Sequence, residues 1–264
     1  MINPRPYLKR LSKAEDELDK RLKDYLKDGN EDNVHDLRTT IRRMLVTADL
    51  LPKEIRKRKR SKRYLGDAEK LLKLNAKVRD TDIILTKLTG HEEYQSLLNE
   101  SKLARESELK RAIILARSVK GKRGFSLHAN DLDGSEVRRR FKKKVRKLIA
   151  EIEQLLKHVL DDPVDREALH QLREEARTLR YTLELDDNSF ASDFVPILES
   201  WQEMLGNIHD SDIFIMHFEK ANRRGSGSIV VTDVLASEKR LRKQNYERFS
   251  SLAKERPLNY QLFS

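Results

Sequence analysis

Apolar residues recur along most of the chain at the three- and four-residue spacing of a helix, and glycine or proline interrupts this pattern at intervals. Few positions favour turns, since the chain contains nine glycines and six prolines. The pattern predicts about eight helices, at roughly 7–28, 33–51, 61–89, 91–119, 135–161, 165–187, 191–222 and 233–255. The stretch 119–133, rich in glycine, serine and asparagine, is predicted to join two sets of four helices. Predicted N-caps are Asn33, Ser135 and Asp233.

Two short motifs occur twice, in the same order and at nearly the same offset. The first is His-x-x-Arg-x-x-x-Arg, at His35, Arg38 and Arg42 and again, 135 residues later, at His170, Arg173 and Arg177. The second is a basic residue followed by Asp-x-Asp-Ile, at Arg79 to Ile83 and again, 130 residues later, at His209 to Ile213. Such a pair of repeats indicates an internal duplication. The sequence therefore predicts an all-α fold of two pseudo-symmetric antiparallel four-helix bundles, with halves at about 1–120 and 134–264.

The first motif places its basic residues on one helical face. At ~100° per residue, Arg38 and Arg42 lie within ~60° of His35, whereas Leu37, Ile41 and Met44 lie on the opposite side. The second copy repeats this arrangement and extends it to Arg180. A single arginine-rich face is most often simply solvated. Two equivalent faces could instead meet across a groove and direct guanidinium and imidazole donors at a shared anion.

Composition narrows the kinds of chemistry that are available. The chain has no cysteine, which excludes disulfides, thiolate nucleophiles and Cys-ligated metal sites. Its net charge is +11, and the excess lies in residues 1–132, which carry 32 Lys and Arg against 21 Asp and Glu. No run of apolar residues is long enough to span a membrane, so we expect a cytoplasmic protein. The charge favours a polyanionic partner without identifying it.

Other readings of the charged residues remain open. The first Asp of the second motif, Asp80 or Asp210, could pair with Arg38 or Arg173 on a neighbouring helix and orient it. Alternatively, the His209-Asp210 pair could belong to a metal-dependent phosphohydrolase, although the chain offers few further ligands at suitable positions. A nucleic-acid-binding protein is a third reading, because basic runs occupy 53–63 and 138–147. These runs contain or adjoin only Tyr64 and Phe141 as aromatic residues, and bases stack on aromatic side chains.

The motifs resemble those of the CHAD domain, a histidine-marked α-helical family. The family has two characteristic sequence motifs, His-x-x-Arg-x-x-x-Arg-Arg and Leu-Gly-x-x-Arg-Asp-x-Asp, and each is present in both halves of the domain. The first is matched by His35, Arg38, Arg42 and Arg43, and its second copy by His170, Arg173, Arg177 and Arg180. The second motif is matched by Arg79, Asp80 and Asp82 and by Gly206, Asp210 and Asp212, and His209 stands in place of its arginine. The resemblance covers most of the chain.

This resemblance implies a single domain over 1–264 that binds inorganic polyphosphate in a basic central groove or pore. The residues of the first motif would bind the polyphosphate, and Arg79, Asp80, His209 and Asp210 would support them. We expect no catalysis, no cofactor, no resident metal and no membrane partner. Nucleic acid would be a secondary ligand, and localisation at polyphosphate granules would follow from the binding.

Overall fold

Helices account for almost all of the regular structure in the computed structural model, which describes residues 4–90, 94–186, 190–223 and 229–256. The helices in these ranges are α1 (Pro4–Lys27), α2 (Glu31–Asp49), α3 (Lys53–Lys57), α4 (Lys59–Leu88), α5 (Gln95–Val119), α6 (Gly134–Asp161), α7 (Arg166–Leu183), α8 (Phe190–Arg223) and α9 (Ile229–Glu255). No described helix is long and apolar enough to cross a membrane. The all-α prediction is confirmed.

Turn-forming residues define the helix ends much as the sequence indicates. The α1–α2 turn contains Gly29, Pro52 precedes α3, and Gly121, which follows α5, has a φ of 75° that favours glycine. The short helix α3 was not predicted, because five residues carry too little periodicity to be recognised.

Two of the three predicted N-caps are wrong. The side chain of Asn30, rather than Asn33, caps α2 by accepting a hydrogen bond from the Asn33 backbone N–H at 2.9 Å. At the start of α6, Asp133 accepts from the backbone N–H of Ser135 at 2.8 Å, so Ser135 is the capped residue. Each cap lies one turn or less before the predicted position, which a sequence pattern cannot resolve. The side chain of Asp233 lies outside the described residues.

The chain divides into two compact units, residues 1–141 and 142–264, and the boundary falls within α6. In the first unit, α1 packs on α2, α2 on α4, α4 on α5 and α5 on α1, so four helices enclose a core. Fully buried apolar side chains from these helices include Leu22, Leu37, Ile41, Met44 and Leu71. The residues that the helical projection assigned to the core face of α2, among them Leu37, Ile41 and Met44, are buried.

In the second unit, α8 packs against both α7 and α9. The α9 residue Tyr246 donates a hydrogen bond to the carbonyl of Val159 in α6 at 2.8 Å. Trp201 is completely buried and lies edge to face on Phe249, with ring centroids 5.5 Å apart. Trp201 is therefore a core residue of this unit.

Candidate functional site

In the first unit, the basic residues of α2 differ in how far they reach solvent. His35 is 61% exposed, and its Nδ1 lies 3.4 Å from Oδ1 of Asp36. Arg42 is half-buried and Arg43 is exposed. His35 and Arg42 therefore reach solvent on the face of α2 that the projection assigned to the basic residues.

Arg38 departs from that projection. Its side chain is buried, at 9% exposure, and Nη1 donates to the carbonyl of Leu72 in α4 at 3.1 Å. The neighbouring helix α4 covers this part of the face, which the periodicity of α2 alone could not reveal. One N–H of Arg38 is therefore used in a hydrogen bond that holds α2 against α4.

In the second unit, the equivalent arginines of α7 are buried more deeply than the histidine beside them. His170 is exposed, whereas Arg177 and Arg180 are only 4% and 8% exposed. Arg177 forms an ion pair with Glu174. Arg180 donates to Gln202 at 2.9 Å and to Glu199 at 3.0 Å, both in α8, so it ties α7 to α8.

Arg173 is the least compensated of these arginines. Its side chain is 19% exposed, and the nearest carboxylate oxygen, on Glu174, lies 3.7 Å from Nη1. The buried Nε finds no acceptor among the residues that the structure describes. Burial, followed by the neighbouring charge of Arg177, lowers the pKa of Arg173 to about 10. An anion brought to this side chain would therefore supply both a missing acceptor and a missing negative charge.

A pair of imidazoles, tilted relative to each other, adjoins Arg173. The rings of His170 and His209 have centroids 4.9 Å apart and an interplanar angle of 35°. Burial, and then the charges of Arg173 and His170, lower the pKa of His209 to about 3. His209 is thus a neutral imidazole at neutral pH, and it can donate one hydrogen bond without adding charge.

The backbone of α8 comes close to this cluster at Gly206. A Cβ atom placed on Gly206 would lie 3.8 Å from Nε of Arg173, which is ordinary van der Waals contact. Alanine would therefore also fit at this position, and Gly206 is a point at which α8 lies close to Arg173. Asp210, one turn later on α8, acts on Arg173 with a negative charge that partly opposes the effect of burial.

The residues of the second motif have separate roles. Arg79 forms an ion pair with Glu31, and Asp80 is half-buried. The deeply buried carboxylates of this motif are instead Asp82 and Asp212, at 3% and 5% exposure. The spacing of the motif did not predict a partner for either of them.

Asp82 and Asp212 each pair with an arginine on the next helix. Asp82 accepts from Nε of Arg105 at 2.5 Å, and a second nitrogen of Arg105 donates to the Gly29 carbonyl at 2.8 Å. The same arrangement recurs around Asp212, as follows. Arg242 donates through Nε to Asp212 at 2.6 Å and through Nη1 to the Pro163 carbonyl at 3.1 Å. The repeated Asp-x-Asp signal could have identified the acids, but not arginines 23 and 30 residues away.

Potential metal ligands come together elsewhere. Among the described residues, a group of three is formed by His158, Asp162 and Asp165, whose ligand atoms lie within 4.8 Å of one another. Nε2 of His158 lies 2.8 Å from Asp165, a carboxylate that also caps α7 by accepting from the Ala168 N–H. This pairing raises the pKa of His158. In that same described part of the chain, His209 and Asp210 do not belong to such a group.

Two comparisons with known proteins give a match. The family model of the CHAD domain matches residues 9–219. The crystal structure of the CHAD domain from the plant Ricinus communis matches with a TM-score of 0.64 and 14% sequence identity, covering 95% of this chain and 90% of that chain. At this identity, the structural likeness shows a shared fold. No curated protein matches the chain.

Proposed function

The chain belongs to the CHAD domain family, and we propose that it binds inorganic polyphosphate through the arginine and histidine side chains of α2 and α7. The residues that would contact the ligand are His35, Arg38, Arg42, Arg43, His170, Arg173, Arg177 and Arg180. Binding brings the protein to polyphosphate in the cytoplasm, including its granules, and no bond in the ligand is broken.

The environment of Arg173 carries this proposal. A guanidinium that is four-fifths buried, with an unsatisfied Nε and its nearest carboxylate oxygen 3.7 Å away on Glu174, is costly unless an anion binds. Its fork of donors matches the paired oxygens of a phosphate group. The adjacent imidazoles of His170 and His209 add donors on the same side of α7 and α8.

The aromatic residues argue for a ligand that has phosphates but no bases. Tyr64 and Phe141, which lie beside the basic runs, are 5% and 8% exposed, and Trp201 is fully buried. None of them offers a ring face on which a base could stack. Nucleic acid is therefore the weaker polyanion, bound through its backbone charge alone.

Competition between polyanions tests this choice. Labelled long-chain polyphosphate is bound to the protein and displaced with unlabelled polyphosphate, RNA or DNA at equal phosphate concentration. We expect polyphosphate to displace the label at the lowest concentration. Displacement by RNA or DNA at an equal or lower concentration would overturn the proposal in favour of a nucleic-acid-binding protein.

The enzymatic alternative is a metal-dependent phosphohydrolase. It is tested by incubating the protein and long-chain polyphosphate with magnesium or manganese and measuring released phosphate. We expect the chain length of the polyphosphate to stay unchanged. Release that is abolished by Asp210→Asn would instead establish a catalytic site at the second motif.

A further inference from the structure

A basic cavity lies within the first unit, away from the arginines of α2. It has a volume of about 610 Å³ and lies between the first turns of α4 and the loop that follows α5. Five cationic side chains and one carboxylate contribute to its wall: Lys59, Arg60, Arg63, Lys122, Arg123 and Asp67. None of these residues belongs to the repeated motifs. Its volume is typical of a pocket that encloses a small ligand.

The loop that forms one wall is held firmly in place. Asp19 accepts from the Gly121 N–H at 2.7 Å, and Glu15 accepts from the Gly124 N–H at 2.6 Å. On the α4 side, Ser61 donates to the carbonyl of Gly124 at 3.0 Å. A Cβ on Gly124 would come within 2.3 Å of the ring of Tyr64, so only glycine permits this close approach. The backbone that forms this wall of the cavity is therefore preorganised.

The acids near the loop neutralise only part of the charge of the cavity. Asp16 is paired with Arg123, and Asp19 lies 2.7 Å from Nζ of Lys23 while also accepting from the loop backbone. Glu15 is buried against the loop, and burial raises its pKa. These three carboxylates on α1 thus hold the loop in position. The cationic side chains on the α4 side keep most of their charge uncompensated.

Among the cations of the wall, three have little or no compensation. Arg63 lies 3.9 Å from Asp67, at the limit of an ion pair. Lys59 and Lys122 are exposed and have no ion-pair partner among the described residues. The N-terminus of α4 adds to this field, because its N-cap residue Arg58 makes no side-chain capping hydrogen bond. Positive charge therefore converges on this pocket, which is open to solvent.

We propose that this cavity is a second anion site, which binds a short oligophosphate of about three linked phosphates. An oligophosphate is compact and highly charged, so it can contact several of these cations at once. A base or sugar gains little here, since Tyr64 is 5% exposed and its ring lies edge to face on Phe125. The ligand is either a free oligophosphate or the end of a longer chain.

Calorimetry with tripolyphosphate tests the site at about 0.15 M KCl, where attraction between exposed charges is screened beyond ~8 Å. The variant Arg63→Gln with Lys122→Gln removes one arginine and one lysine from the cavity. Its matched control, Lys70→Gln with Arg117→Gln, removes the same charge from exposed positions elsewhere in the unit. We expect the cavity variant to lose about tenfold or more in affinity for tripolyphosphate, and the control less than about twofold.

Equal losses in the two variants, or no measurable binding of tripolyphosphate to the parent protein, would overturn the proposal. Long-chain polyphosphate distinguishes the two sources of the ligand. If the cavity takes chain ends, the cavity variant also loses affinity for long chains; if it takes free oligophosphate, that affinity is unchanged. Because Arg173 is intact in both variants, failure of the cavity leaves the function proposed for α2 and α7 untouched.

Discussion

Equivalent positions in the two halves carry different side chains beside the arginine motif. In the first half, Arg79 of α4 is neutralised by Glu31 at the start of α2. In the second half, the corresponding residues are His209 and Arg166. His209 is neutral, and Arg166 is paired with Asp212 at 3.1 Å. The second half therefore places an uncharged donor next to Arg173, and α7 is the better candidate for direct contact with a phosphate chain.

The lowered pKa of His209 predicts a pH-dependent stability. Its pKa is about 3 in the folded protein, against an ordinary value of about 6.5. The unfolded chain binds more protons between these values, so this group makes the protein less stable as the pH falls below about 6.5, by at most about 1.4 kcal/mol per pH unit. His209→Gln should reduce the loss of stability between pH 7 and pH 5, as measured by urea denaturation.

The exposed His128→Gln is the matched control for this measurement. The free energy of unfolding of this control variant should change with pH as that of the parent protein does. If the parent and His209→Gln lose stability equally on acidification, His209 is not held neutral by its surroundings.

Connections between helices depend on a repeated contact. In each half, a buried aspartate of α4 or α8 binds an arginine of the following helix, which also reaches a carbonyl in the loop before α2 or α7. Three segments are thereby tied together by one arginine. This contact fixes the start of the helix that carries the basic motif, although it does not touch a ligand itself.

Removing Arg105 should destabilise the first unit strongly. Arg105→Met leaves Asp82 buried without its partner, which costs about 3 kcal/mol or more in the free energy of unfolding. Arg111→Met removes the exposed pair of Arg111 with Glu108 and should cost less than about 0.5 kcal/mol. Adding Asp82→Asn to Arg105→Met should recover part of the loss in urea denaturation. No recovery would indicate that packing, not an unpaired charge, causes the effect.

Two glycines should respond in opposite ways to alanine. Gly124→Ala forces a Cβ against the Tyr64 ring and should destabilise the first unit by about 1 to 3 kcal/mol. Gly66, within α4, has open space around it, so Gly66→Ala should stabilise the protein by about 0.5 to 1 kcal/mol through helix propensity. Urea denaturation measures both changes in the free energy of unfolding. A loss that is not relieved by adding Tyr64→Ala would contradict the steric explanation.

Helices were largely predictable from the sequence because their signals are local. Gly29, Pro52 and Gly121 interrupt a strong apolar period, and the observed helices end within a few residues of them. Contacts between helices were not predictable. The burial of Arg38 under α4, and the pairing of Asp82 with Arg105, depend on which faces meet, and a single sequence does not specify this.

The candidate site was predictable to the same extent. Repetition of the His-Arg motif selected the candidate residues of α2 and α7, but it gave no reason to distinguish Arg173 from Arg180. That distinction depends on Gln202 and Glu199, which satisfy Arg180 from a different helix. The neutral state of His209 likewise follows from burial beside two cationic neighbours, which no spacing in the sequence records.

Over the whole chain, the net charge of +11 adds a long-range attraction for polyanions to any specific contact. Binding that neutralises several phosphates should weaken steeply with salt, because condensed counterions are released. The slope of log affinity against log salt is about −0.7 per neutralised phosphate of a flexible chain, so we expect a slope steeper than about −2. Calorimetry over a range of KCl concentrations measures it. A flat response would remove electrostatics as the source of affinity.

The affinity of Arg173→Gln for long-chain polyphosphate tests most directly whether the arginine motif forms a site. Arg240→Gln, at an exposed position of α9 in the same unit, is the matched control with the same change of charge. At about 0.15 M KCl, we expect Arg173→Gln to weaken binding about tenfold or more, since a buried charge-assisted contact is lost. Arg240→Gln should stay within about twofold of the parent protein. Equal effects of the two substitutions would mean that polyphosphate is attracted by net charge alone and that α7 holds no binding site.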